Sequence, residues 1–309
     1  MSEAMRVTVA ETTRAQAAPA TDWSGYGAFA GASLIWGSTF LVIAFSNEYL
    51  APLWGATLRL AIASVGLITV ALLTGARFPR GAQLRDLALY GILSFGFNLS
   101  FLYWGEKSVP SGITAVVFAT APLQTALYAR VLGVERLDRI KVFSAVVAVV
   151  GVGTIFAGQL GVGVPALPLA AVFGAAMVSA LGAVILRRAG RHSPWTVNAI
   201  GAPLGAAFCL AVSVAVGEPR AIPSGLAEWW PVLYLAVLGS LGAYVLFAFL
   251  VNRWSATSAA FIGVVVPVIA LILGALIRHE SPPLISFAGA AIVIAAVVVA
   301  LTRSKGAAH

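Results

Sequence analysis

The chain has 309 residues, of which 60% are hydrophobic and only 10% are charged. Because charged residues make up about a quarter of an ordinary soluble domain, this composition excludes a soluble protein, and a mean hydropathy of +0.97 places the chain in a lipid bilayer. The net charge of +8 comes from basic residues scattered in short loops, so no nucleic-acid partner is expected. The single cysteine, Cys209, excludes a disulfide framework.

The chain begins with a polar segment and continues as a series of apolar runs. Residues 1–22 have no apolar core before a small-residue cleavage site, which predicts a disordered cytoplasmic tail and not a cleaved signal. Crossing the hydrocarbon takes roughly 20 apolar residues, and lipid leaves the edge of an open sheet unsatisfied, so each run is expected to form a helix. The predicted spans are 25–46, 52–74, 86–105, 112–132, 140–158, 166–187, 196–217, 229–251, 256–277 and 284–302.

The loop charges predict the orientation in the membrane. With the N-terminal tail inside, the inner segments hold fifteen Lys and Arg residues, whereas the outer loops hold only Lys107, Arg220 and Arg278. Basic loops stay in the cytoplasm. We therefore expect an integral protein of the bacterial inner membrane with both termini in the cytoplasm.

The two halves of the chain resemble each other. The separation between Pro122 and Pro267 is 145 residues, and the same separation relates Glu135 to Glu280. We interpret residues 23–158 and 166–303 as two five-helix repeats. Because five is odd, the second copy enters the membrane inverted. The predicted fold is an all-α membrane protein with ten transmembrane helices in two inverted-topology five-helix repeats and a substrate site between them.

Several motifs carry a family resemblance. They are Trp36-Gly-Ser-Thr-Phe, Arg59, Ser111-Gly-Ile-Thr-Ala with Pro122 and Glu135, and the second pair Pro267 and Glu280. With these motifs the chain resembles the EamA family of the drug/metabolite transporter superfamily from about residue 28 to 302, and within it the YddG-type aromatic amino acid exporters. The resemblance implies ten helices, cytoplasmic termini and export of small metabolites.

Few residues could carry chemistry inside the membrane. All eleven acids map to a tail, a loop or the last turn of a span, as do the three histidines. A proton relay therefore has no obvious group, which favours transport down a gradient or by exchange. The absence of a base beside a nucleophile argues against an enzyme. Without metal-ligand spacing or a phosphate-binding loop, no cofactor, metal or ATP is expected.

A polar stripe on the third span is the first substrate-site signal. Tyr90, Ser94 and Asn98 recur every four residues and so share one face of the helix. Polar groups in hydrocarbon need partners or water. The stripe predicts either the wall of a substrate cavity or hydrogen bonds between helices.

Aromatic residues near mid-membrane are the second signal. Trp36 and Tyr244 lie beside small residues, and Phe118 lies in the fourth span. Ser179 occupies nearly the repeat position of Trp36. We expect these four residues to contact the substrate.

For five further residues, the sequence allows two interpretations of their role. Arg59 either snorkels to the interface or anchors a substrate carboxylate. Glu135 and Glu280 are either caps or interfacial partners of the following helix or of Arg136 and Arg278, or groups for coupling or gating. Pro122 and Pro267 should kink their helices, as gate hinges or as static bends.

These observations predict a secondary transporter that exports small amphipathic metabolites, aromatic or neutral amino acids foremost, by alternating access. Its expected partners are a small-molecule substrate and the bilayer, and a monomer is plausible. One alternative is an exporter of drugs, cations or sugar phosphates. A further alternative is a lipid-handling or sensory membrane protein.

Overall fold

The computed structural model describes residues 22–158, 163–277 and 283–303, and all regular elements within these ranges are helical. They are α1 (Trp23–Tyr49), α2 (Pro52–Leu73), α3 (Ala82–Gly105), α4 (Ser111–Val131), α5 (Arg139–Ile155), α6 (Ala166–Arg188), α7 (Pro194–Ala215), α8 (Leu226–Arg253), α9 (Ala256–Ala260, then Ile262–Ile277) and α10 (Leu284–Arg303).

Nine helical segments in the described ranges have the length and apolar character needed to cross a membrane. The remaining segment, α5, has 17 residues. The prediction of an all-helical membrane protein is therefore confirmed for the described residues. A tenth crossing, the repeat boundaries and the inversion of the second half stay predictions.

Hydrogen bonds between helix ends show which ends lie together. Arg188, at the end of α6, donates to the Asp86 carboxylate near the start of α3 at 2.7 and 3.0 Å. Arg253 and Trp254, at the end of α8, donate to Asp22 at the start of α1 at 2.7 to 2.8 Å. We call this side, which holds the starts of α1 and α3 and the ends of α6 and α8, the basic end.

The other side of the bundle, the opposite end, is joined in the same way. The Asn47 side chain near the end of α1 donates to the Tyr103 carbonyl near the end of α3 at 3.1 Å. The Glu218 carboxylate, just beyond α7, accepts from the Trp54 amide at 3.0 Å and so caps the first turn of α2. Carboxylates at the helix ends thus hold neighbouring helices in place.

Residues 1–21 of the predicted tail lie outside the described ranges, but Asp22 does not belong to a disordered segment. Its side chain accepts a hydrogen bond from the Gly25 amide and caps α1. The reason is the carboxylate, which satisfies an orphan amide of the first turn and binds Arg253 and Trp254 as well. Asp22, which the sequence assigned to the tail, therefore belongs to the N-terminal cap of α1.

Two helices contain a widened turn. α3 is π-helical over Ile92–Phe97, and α8 is π-helical over Leu235–Gly242. The separation of 145 residues that relates the two prolines carries 92–97 onto 237–242, inside the second π segment. Because π turns in proteins occur frequently at functional sites, these two segments mark where the bundle departs from regular helix packing.

The helices that carry the two prolines are interrupted close to them. α4 breaks at residues 119–120, so that Pro122 stands in the first turn of the segment Ala121–Val131. α9 breaks at Phe261, and Pro267 lies inside Ile262–Ile277. The expected irregularity is present in both helices, and a hinge function of either proline stays a prediction.

Glycines let α3 and α7 approach closely. A Cβ atom added at Gly91 would lie only 2.5 Å from the Gly201 Cα. The obstacle is backbone, which cannot rotate away, so alanine at this position must push the two helices apart.

We expect Gly91→Ala to destabilise the protein by about 1–3 kcal/mol, the usual cost of overpacking. The apparent unfolding temperature in detergent should fall by several degrees. Gly27→Ala is the matched control, because nothing lies within 4 Å of a Cβ at Gly27. Equal shifts for the two variants would contradict close packing at Gly91.

Asp22 should make stability depend on pH. Burial raises the pKa of the Asp22 carboxyl, but hydrogen bonds from Trp254, the Gly25 amide, Arg253 and Ser24 outweigh it and hold the pKa well below its usual range. A depressed folded-state pKa contributes stability above the unfolded pKa, and this stability is lost as the pH falls. The unfolding temperature of Asp22→Asn should therefore be below wild type at neutral pH, and the gap should narrow below about pH 4. If the difference in unfolding temperature between wild type and Asp22→Asn stays constant on acidification, the depressed pKa of Asp22 is contradicted.

Candidate functional site

A cavity lies at the centre of the bundle. Its walls enclose about 850 Å³ of empty space, part of it open to solvent. Side chains from α1, α2, α3 and α4 line it together with side chains from α6, α8 and α9. Both halves of the chain therefore build the wall.

Six of the seven predicted substrate residues line this cavity. They are Trp36, Ser94, Asn98, Phe118, Ser179 and Tyr244. The structure thus brings residues from five helices to one space, as a common site requires. Contact of any of them with a substrate stays a prediction.

Tyr90, the seventh residue, is not among the lining residues. It is fully buried, and its ring packs edge-on against Phe95 with centroids 5.8 Å apart. Tyr90 lies one turn closer to the basic end than Ser94. At the level of Tyr90, Gly91 and Gly201 bring α3 and α7 together, which closes the space beside the helix. Tyr90 therefore supports the aromatic residues of the wall from behind.

Aromatic rings form one side of the cavity. The Trp36 and Tyr244 rings meet edge to face at 5.1 Å, and the Tyr244 ring lies 4.1 Å from Phe95. The Tyr244 hydroxyl donates to the Ser94 carbonyl at 3.1 Å, and Trp36 Nε1 donates to the Gly239 carbonyl at 3.3 Å. Both acceptors lie in the π turns. The widened turns thus fix the orientation of the two predicted aromatic residues.

Arg59 is the one charged residue that lines the cavity within the part of the chain that the structure describes. It is 2% exposed, and its Nε donates to Ser240 Oγ at 2.7 Å while Nη1 lies 3.4 Å from the Tyr103 hydroxyl. None of the ion pairs among the described residues includes Arg59. The guanidinium therefore stays inside the bundle, held by side chains of α8 and α3, and does not snorkel.

Some lining residues were missed by sequence reasoning. Thr39 lies in the Trp36-Gly-Ser-Thr motif, and its hydroxyl donates to the Trp36 carbonyl. Phe247 follows Tyr244 by three residues and packs on Trp36 at 5.4 Å. Helical spacing from the predicted residues could have found both. Thr125 carries no such signal, because single threonines are common in apolar helices.

Glu135 joins α4 to α9 at the basic end, below the cavity. Its carboxylate accepts from the Ala256 amide at 2.7 Å and from the Thr257 hydroxyl at 2.8 Å. Glu135 is therefore a cap, but of α9 and not of the following helix α5, which Asp138 caps. A gating role of Glu135 stays a prediction. Glu280, its counterpart in the second half, lies outside the described residues.

Comparison with known proteins identifies relatives along the whole chain. The EamA-like transporter family matches twice, at residues 23–157 and 166–302. The "Uncharacterized inner membrane transporter YedA" of Escherichia coli K12 is 28% identical over 274 residues, which cover 88% of this chain and 89% of the relative.

Two further similarities bear on function and fold. The "Probable terminal-alkyne amino-acid exporter" of Streptantibioticus cattleyicolor is 28% identical over 249 residues, covering 80% of this chain and 83% of the relative. A solved crystal structure with 20% identity superposes with a TM-score of 0.77 and covers 94% of this chain and 100% of its own. At that identity the structural match shows the fold alone.

The Glu135 contacts predict a change in access to the cavity. Hydrogen bonds to a charged group contribute about 1.5–3 kcal/mol, so Glu135→Ala should favour separation of α4 and α9 by about tenfold or more. With Ala121→Cys as a reporter on the cavity wall and Cys209→Ser as background, a membrane-impermeant maleimide should label the Glu135→Ala protein faster from the basic end. The labelling rate of Glu135→Gln, which keeps one acceptor oxygen, should lie between the rates of the Glu135→Ala protein and the protein that keeps Glu135. Unchanged labelling in vesicles of both orientations would rule out this gating role.

Proposed function

Because the chain belongs to the EamA-like transporter family, we propose that it is a secondary exporter of small carboxylate-bearing metabolites, aromatic and neutral amino acids foremost, that works by alternating access. The observation that carries this proposal is the buried guanidinium of Arg59 on the cavity wall, where the described lining residues include no other charged side chain.

Arg59 fits the role of an anchor for the substrate carboxylate. A buried cation without a counter-ion is unfavourable, and among the described residues the side-chain hydrogen bonds of Arg59 go to two neutral hydroxyl groups. A guanidinium offers a planar set of donors that matches a carboxylate. A bound carboxylate would supply the missing negative charge and gain charge-assisted hydrogen bonds.

The aromatic wall fits the apolar part of such a substrate. Trp36, Tyr244 and Phe247 pack together on one side, and Phe40 packs edge-on against Phe118 at 5.7 Å. Aromatic faces favour flat or apolar side chains. This wall supports the aromatic exporter branch as the subgroup. The relative named a probable terminal-alkyne amino-acid exporter supports amino acids as the substrate class, but not aromatic ones in particular.

We further propose that the two matched segments are inverted repeats, ten helices in all. Under a two-fold relation, a residue near the axis approaches its own counterpart. Phe118 and Gly263 are separated by 145 residues, and a Cβ at Gly263 would lie 2.9 Å from the Phe118 carbonyl oxygen. The paired π segments follow the same separation. Because basic loops stay in the cytoplasm, we also propose that the basic end and both termini face the cytoplasm.

Other cargoes fit the cavity less well. A cationic drug needs a carboxylate in the pocket, and a sugar phosphate needs paired cations, but the described lining residues include one cation and no acid. A lipid-handling or sensory role has no support in the family match. Neutral drugs need neither a carboxylate nor paired cations in the pocket, so only a substrate test distinguishes them from amino acids as the cargo.

Ligand-induced stabilisation tests the substrate class. A ligand that binds the folded form raises its apparent unfolding temperature. Tryptophan, phenylalanine and leucine should stabilise the detergent-solubilised protein, whereas tryptamine and phenethylamine, which lack the carboxylate, should not. Counterflow of the same labelled amino acids in proteoliposomes measures transport. Stabilisation by the amines equal to that by the amino acids would exclude a carboxylate anchor.

Substitution of Arg59 tests the anchor itself. Arg59→Lys keeps the charge but loses the planar fork, so counterflow should fall by about tenfold or more, and Arg59→Gln should abolish it. Arg220→Gln is the matched control, because Arg220 lies outside the cavity and donates to the Ser213 and Glu218 carbonyls. If Arg59→Gln still exchanges amino acids at the rate of Arg220→Gln, Arg59 does not anchor the substrate carboxylate.

A further inference from the structure

Glu106 is the first residue after α3, at the opposite end. The Glu106 amide donates to the Leu102 carbonyl at 2.9 Å, so the helical turn continues through this residue. Sequence reasoning assigned it to the end of a span and gave it no role. The structure places it differently from every other acid described above, which caps a helix or binds a cation.

Both carboxyl oxygens of Glu106 are buried, and neither has a hydrogen-bond partner among the described residues. Burial raises the pKa of the Glu106 carboxyl well above its usual range. An ionised carboxylate without donors is costly in such surroundings. The neutral acid is therefore the form that this packing favours.

Glu106 continues the face of α3 that lines the cavity. Ser94, Asn98 and Leu102 line the cavity at intervals of four residues, and Glu106 is the next position in this series. At 1.5 Å per residue it lies about 6 Å beyond Leu102 along the helix. Movement of α3 at this end would therefore expose Glu106 and the cavity to the same water.

Few charges surround this carboxyl group. On α3, Tyr103 lies about one turn before Glu106, and its hydroxyl group contacts Arg59. Tyr103 interacts electrostatically with Arg59, Glu106 and Cys209. α6 meets the helix at Gly105 through Val172 and Pro168, and neither has a titratable side chain. Among the described residues, the other charged or titratable side chains at this end are Glu48, Tyr49, Lys107, Glu218, Arg220 and Glu228, the last of which accepts from Ser224. Glu48, Tyr49 and Lys107 are exposed, and Glu218 caps α2.

Asn47 adds a second unpartnered atom nearby. Its amide nitrogen donates to the Tyr103 carbonyl, three residues before Glu106, while its Oδ1 is buried without a partner. Two polar side chains at the same helix end thus lack partners in this packing. Such groups are satisfied when water enters.

We propose that Glu106 is a proton-binding site coupled to the transport cycle. Glu106 holds one proton while the opposite end is packed as described. When this end opens, the O–H bond breaks, the proton passes to water, and the carboxylate remains hydrated. The coupling to transport rests on the proposed export function, whereas the proton site itself does not depend on any substrate.

The sign of the pH dependence follows from this exchange. The packed arrangement binds one more proton than the open or unfolded chain, so it is favoured at low pH and loses stability as the pH rises above the ordinary glutamate pKa of about 4.3. Glu106→Gln mimics the neutral acid and removes this dependence. Glu48→Gln removes an exposed acid from the same end and serves as the matched control.

Unfolding in detergent tests the proton site without a substrate. Between about pH 4.5 and pH 8.5, wild type and Glu48→Gln should lose stability relative to Glu106→Gln as the pH rises. At neutral pH, infrared difference spectra of wild type minus Glu106→Gln should show the carbonyl band of a protonated carboxylic acid. Parallel unfolding curves together with a missing band overturn the proposal. So does a sodium-induced shift at constant pH that Glu106→Gln abolishes.

Counterflow in proteoliposomes tests the coupling. The wild-type rate should change several-fold between about pH 5.5 and pH 8, whereas the Glu106→Gln rate should be flat. Equal pH profiles for the two proteins overturn the coupling. If no amino acid shows counterflow but the infrared band is present, the proposed substrate is wrong and the proton site stands.

Discussion

The structure depends most on the way one guanidinium is held in the centre of an apolar bundle. Arg59 of α2 is fixed by Ser240 of α8 and by Tyr103 of α3, one partner from each half of the chain. A Cβ at Gly239 would lie 3.0 Å from Arg59 Nη2, so a larger residue there would have to shift the guanidinium by a few tenths of an ångström. The π turn of α8 includes both Gly239 and Ser240. The charge, the widened turn and the cavity are therefore parts of one arrangement.

The acids at the helix ends hold the frame around that arrangement. Asp22, Glu135 and Glu218 each accept backbone amides in the first turn of a helix, where the helix dipole favours negative charge. Two of these caps come from a different helix or loop than the one they cap. Because apolar association is weak inside lipid, such polar contacts at the ends set how helices sit relative to one another. Glu106 has none of these contacts, which makes it the exception that needs a separate explanation.

Sequence reasoning identified the residues of the cavity better than the residues around it. Trp36 and Tyr244 were found because mid-membrane aromatic residues beside small ones indicate a pocket, and both line it. Tyr90 was grouped with Ser94 by spacing alone, which ignores how close α3 and α7 lie below the cavity. Glu106 was set aside because its position at a span end suggested solvent, whereas neighbouring helices bury both of its oxygens.

The amino-acid sequence by itself determined the membrane location, the helical class and most helix bounds, because the length of an apolar run and the demand for internal hydrogen bonds are local properties. It also indicated the family through motifs along the chain. Only the tertiary structure decided that Arg59 faces the cavity without a counter-ion among the described residues, that Asp22 and Glu135 bridge helices, and that both carboxyl oxygens of Glu106 are buried. These are contacts between residues far apart in the chain, and the packing of helices, not their periodicity, sets which polar groups meet a partner.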